Sequence, residues 1–84
     1  MNLEILILKI LADAGGYLVN HSQIPIEVKL RSGSFAFTFT DVNLALARLE
    51  EKGHAIGISN ADAPGGSKWK LTDAGKARLA EAIL

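Results

Sequence analysis

The chain has 84 residues, 49% of them hydrophobic, which suffices for one small packed domain and excludes a disordered class. It carries no cysteine, so disulfides and thiolate metal sites are excluded. Nine basic and nine acidic side chains cancel, leaving no whole-molecule field to draw the protein to nucleic acid or to an anionic membrane.

The charge is unevenly placed. Residues 1–53 hold five basic and six acidic groups, a sum of −1, whereas Lys68, Lys70, Lys76 and Arg78 against Asp73 and Glu81 give residues 67–84 a sum of +2. That is a mild asymmetry, not a basic stripe. The opening "MNLEILILKILADAGG" is broken by Glu4, Lys9 and Asp13, is too short to span a bilayer, and lacks the pattern of a cleaved leader. A soluble, cytoplasmic protein forming one domain over residues 1–84 is expected.

Leu3 to Ala14 is predicted as a helix rich in leucine, isoleucine and alanine, stopped by Gly15-Gly16. On a helical wheel Asn2, Lys9 and Asp13 share one narrow face and apolar residues fill nearly all the rest. Such a helix is buried on more than one side, as the central core helix or partly against a partner. Residues 17–40 admit two readings. In "SQIPIEVKLRS", Ile24, Ile26, Val28 and Leu30 alternate with Pro25, Glu27, Lys29 and Arg31, which is the period of a strand. Against that, Ser22 is a good helix N-cap and Pro25 would fall in the first turn, where proline is tolerated. "FAFTFT" sets Phe35, Phe37 and Phe39 on one side and reads as extended. Local rules favour a hairpin, with Ser32-Gly33-Ser34 as its turn.

Thr40 to Lys52 is the clearest helix, with Thr40 as cap, Asp41 at its positive end and Gly53 as a left-handed stop. Val42, Ala45, Leu46 and Leu49 form its core face. "HAIGIS" is predicted to turn Ile56 and Ile58 inward, and "SKWKL" to turn Trp69 and Leu71 inward, with Lys68 and Lys70 outward beside Ala55 and Gly57. The turn formers of "NADAPGG" lie between these two strands. Thr72 caps the last helix, Leu79 and Ile83 face inward, and Gly75 allows close approach to the sheet.

The run "ALARLEEKGH", the hairpin, and "WKLTDAGKARL" together resemble the winged-helix domains of small bacterial transcriptional regulators. The matching positions are Leu49-Glu50-Glu51-Lys52-Gly53 and Leu71-Thr72-Asp73-Ala74-Gly75-Lys76-Ala77-Arg78-Leu79, so the resemblance covers the second half of the chain. It implies an α+β fold: a winged helix-turn-helix with a three-helix core, a two-stranded β wing and a C-terminal helix. It also implies a helix from Ser22 to about Leu30, because a helix-turn-helix needs a second helix before the third. Trp69 and Leu71 are then expected to pack on Ile56, Ile58, Leu46, Leu49 and Leu79.

The residues offer little for catalysis. His21 and His54 are the two histidines, and no carboxylate pair shares a helix face. The adjacent His21-Ser22 lacks a third orienting group, so Ser22 is read as a cap. No enzyme activity, metal, cofactor or small-molecule substrate is expected. The resemblance implies double-stranded DNA as partner and a regulatory role. On the third helix Asn43 is suited to adenine and Arg48 to guanine or a phosphate; Lys68 and Lys70 on the wing suit the backbone. Asp41, Glu50 and Glu51 oppose that role. The rival reading is a protein-interaction module on the same scaffold, motivated by zero net charge, exposed Leu44 and Ala47, and the terminal "AEAIL". A homodimer is compatible with either.

Overall fold

In the computed structural model, which describes residues 2–33, 37–59 and 67–83, the chain starts on a cap. Asn2 accepts the backbone N–H groups of Glu4 (2.9 Å) and Ile5 (3.3 Å) and so starts helix α1, Leu3–Asp13. Five of its side chains, Leu6, Ile7, Leu8, Ile10 and Leu11, are buried, and it touches α2, α3, α4 and the sheet. The near-continuous apolar wheel is thus that of a central core helix. Gly15 and Gly16 end it with φ of 64° and 95°, a region L side chains rarely adopt.

A two-residue strand β1, Val19–Asn20, leads into α2, Gln23–Ser32. The alternation in this stretch therefore belongs to a helix. Ile24 and Val28, one turn apart, are buried, while Ile26 and Leu30 stay exposed on the far side. Pro25 sits in the first turn, where its missing N–H has no partner to lose. Ser22 occupies the position before this helix in αR geometry and its side chain makes no capping bond, contrary to the role read from sequence. Ile24 N–H is held instead by the carbonyl of His21 (3.3 Å).

Helix α3, Phe39–Glu51, begins one residue before the expected cap. The cap is Thr38: its hydroxyl accepts Asp41 N–H (3.1 Å) while the Asp41 carboxylate accepts Thr38 N–H (2.9 Å), a reciprocal capping box. Thr40, expected there, lies inside the first turn, and Phe39, expected extended, is helical and exposed. Val42, Ala45, Leu46 and Leu49 are buried as the wheel requires. Gly53 follows with φ of 77°.

Strands β2, Ala55–Ser59, and β3, Ser67–Leu71, pair antiparallel, and β1 adds to the other edge of β3, giving the order β1-β3-β2. The inward alternation of β3 holds, with Trp69 and Leu71 each 7% exposed. That of β2 is reversed. Ala55 opposes Leu71 and Gly57 opposes Trp69, so these two face the core, whereas Ile56 opposes Lys70 and Ile58 opposes Lys68 on the solvent face. The reason is space: a Cβ on Gly57 would lie 3.0 Å from Trp69 Cη2, so the indole fills the place of a side chain there. Ile56 and Ile58 are accordingly 47% and 44% exposed, and the packing expected between them and Trp69 does not occur.

Helix α4, Asp73–Ile83, is capped by Thr72, whose hydroxyl accepts Gly75 N–H (3.0 Å) and donates to the Gly53 carbonyl (2.6 Å). One side chain thereby joins the end of α3's turn to the start of α4. Leu79 packs against the core, which also contains Leu46, Leu49, Trp69 and Leu71. The expectations for Ser34, Phe35, the 60–66 tip, the Ile83 side chain and Leu84 lie outside the described residues. No described helix is long and apolar enough to cross a membrane.

Candidate nucleic-acid interface

The solvent-facing side of α3 carries Asp41, Asn43, Leu44, Ala47 and Arg48, all exposed, as its helical spacing requires. Two of them are parted by the wheel. Asn43 meets His21, in the turn between β1 and α2, whereas Arg48 lines a groove with Glu4, Asp41 and Leu44 at the start of α1. Lys68 and Lys70 are exposed on the outer face of the sheet, alternating across the strand pair with Ile58 and Ile56. Among the described residues, Arg48, Lys68 and Lys70 make no ion pair. The structure thus sets the two lysines on one face of the sheet and Asn43 against His21, while Arg48 lines the groove beside α1.

The carboxylates that oppose an anion on this face have local duties. Asp41 closes the capping box, and Glu50 accepts the backbone N–H of Gly57 (2.9 Å), tying the end of α3 to β2. Their charge is partly met by N–H dipoles, although it is not removed. Other cations are spent on the fold. Lys52 pairs with Glu4 (3.0 Å), joining α3 to α1. Arg31 bonds to Asp13 and, at 3.3 Å, to Glu27, and the Asp13 bond leads the effects that raise its pKa above the ordinary arginine value. Arg31 therefore braces α2 on α1.

Sequence reasoning weighed His21 only as a catalytic candidate and missed its bridging position. His21, just before α2, lies with Nδ1 3.0 Å from Trp69 Nε1 and Nε2 3.0 Å from Asn43 Oδ1. A single imidazole thus bridges the wing strand β3 and the exposed face of α3. Partners 48 and 22 residues away leave no signal in local spacing.

Helix, short strand, two further helices, an antiparallel hairpin and a closing helix, with the hairpin strand anchored on the third helix, define a winged helix-turn-helix domain of the regulator type. The chain is similar over 96% of its length to 82% of a solved PadR family transcription regulator from Clostridium difficile R20291, at 28% identity and a TM-score of 0.76. No protein-family model matches the chain, and no curated protein matches it closely.

Proposed function

We propose that residues 1–84 act as one DNA-binding domain in transcription regulation, docking α3 and the β2–β3 wing on a duplex. The likeness to the PadR family regulator, at 28% identity along nearly the whole chain, carries this reading. Lys68 and Lys70 support it as two exposed cations on one face of the wing. In this reading they contact phosphates, Arg48 contacts a phosphate or guanine, and Asn43 contacts a base edge.

Fluorescence anisotropy with a random duplex tests the reading. Binding is expected at low salt and is expected to weaken steeply as salt rises. Each phosphate contact contributes about 0.9 to the slope of log affinity against log salt, so replacing Lys68 and Lys70 with alanine should flatten that slope by about 2. Absence of binding at low salt by folded protein would favour the protein-interaction module instead.

The regulator is further proposed to work as a symmetric dimer. Ile5, Leu79 and Ala82, above the buried Leu6 and rimmed by Asn2, Lys9 and Arg31, line a groove between α1 and α4 whose apolar floor is suited to a second copy. Light scattering should then give twice the chain mass, and a monomer at high concentration would remove the proposal.

A further inference from the structure

We infer that His21 is a positioning residue: it sets which end of the Asn43 amide faces solvent, and so makes Asn43 a hydrogen-bond donor. The geometric part stands on this chain alone; its consequence for base choice rests on the DNA reading above. Trp69 is 7% exposed and packed in the core. An indole N–H can only donate. Its partner, His21 Nδ1 at 3.0 Å, must therefore hold a lone pair. A neutral imidazole with a bare Nδ1 carries its proton on Nε2. Nε2 is 3.0 Å from Asn43 Oδ1, so it donates and the amide oxygen accepts.

The reverse amide orientation would set an NH2 group against an N–H and is excluded by repulsion. Asn43 Oδ1 is thus turned to His21, and Nδ2 points away from it. An indole fixed in the core has dictated the outward polarity of a side chain on α3.

An unconstrained asparagine presents an acceptor and a donor, which matches the N6 and N7 of adenine. With Oδ1 turned to the His21 ring and one of its two lone pairs taken there, Asn43 presents its N–H donors outward, and these match the two acceptors of guanine, O6 and N7. The base opposite Asn43 is therefore guanine in place of the adenine that a free side chain favours.

Two measurements on the full chain test this. Long-range proton–nitrogen spectra of labelled protein should show the His21 proton on Nε2 and none on Nδ1. A protonated Nδ1 in the neutral ring overturns the positioning role whether or not the protein binds DNA. In the second, binding sites are selected from a random duplex library, and Asn43→Ala identifies the base pair whose preference it relaxes. Guanine is expected there, favoured over adenine by roughly tenfold or more. His21→Leu should abolish that preference while leaving affinity for random duplex unchanged. His21→Gln, which supplies one acceptor and one donor, should restore it. Trp69→Phe keeps an aromatic ring in the core but deletes the N–H that fixes the tautomer, and it should weaken the preference if His21→Leu fails to fold. Adenine at that position, or full discrimination in a folded His21→Leu protein, overturns the inference. If the parent binds no duplex at low salt, the DNA reading fails and the nitrogen spectra alone decide the role of His21.

Discussion

Replacing Trp69 with alanine is expected to destabilise the protein by about 3–5 kcal/mol and to lower its melting temperature by roughly 15–30 °C. Three losses combine. The indole is almost wholly buried, so truncation leaves a large cavity beside Leu46, Leu49 and Leu71. Gly57, directly opposite on β2, has no side chain with which to collapse into that space. His21 also loses the donor that orients it. A domain of this size is stabilised by only about 5–10 kcal/mol in total, so the variant should sit close to unfolding. Chemical denaturation followed by circular dichroism is the measurement. A variant that melts like its parent would remove Trp69 as the link between wing and helices. Trp69→Phe separates the effects, because it retains most of the apolar contact and loses the N–H.

The second large effect is expected where alanine usually helps. In an exposed helix interior, exchanging glycine for alanine stabilises by about 1 kcal/mol. Gly75 lies in the first turn of α4, but a Cβ there would collide with the backbone carbonyl oxygen of His54 and lie 2.7 Å from Leu71 Cδ1. The carbonyl cannot step aside freely, because it accepts the N–H of Thr72 (3.2 Å) and belongs to the turn that leads into β2. Relief requires α4 to move off the sheet, which strains the Thr72 bonds to Gly53 and Gly75. Gly75→Ala is therefore expected to destabilise by about 3 kcal/mol, the upper range for overpacking. Thermal melting reads it directly, and a neutral or stabilising result would show that α4 does not approach the sheet this closely.

Much of the fold was legible because its signals are local. The Gly15-Gly16 and Gly53 stops, the Thr72 cap, the core face of α3 and the inward Trp69 and Leu71 follow from turn chemistry and periodicity. The α2 stretch shows how periodicity alone misleads. Ile24 and Val28 satisfy a helix, Ile26 and Leu30 merely fail to contradict a strand, and only the packing of α2 on α1 distinguishes the two. Ser22 has the residue type of a cap but an αR backbone, whereas Thr38, ahead of α3, has the extended backbone that lets a hydroxyl reach back to the helix.

The candidate site was less legible. Exposure of Asn43, Arg48, Lys68 and Lys70 follows from their spacing, but their grouping does not. Residue order by itself determined which segments are helices or strands in the second half and where they stop, because caps, stops and alternation act over a few residues. Only the tertiary structure decided which face of β2 meets the core, because that depends on Gly57 yielding its place to an indole on the neighbouring strand. It alone also joined His21 to Asn43 and Trp69. Hydrogen bonds between residues 22 and 48 positions apart are set by how the elements pack, and no local pattern encodes that.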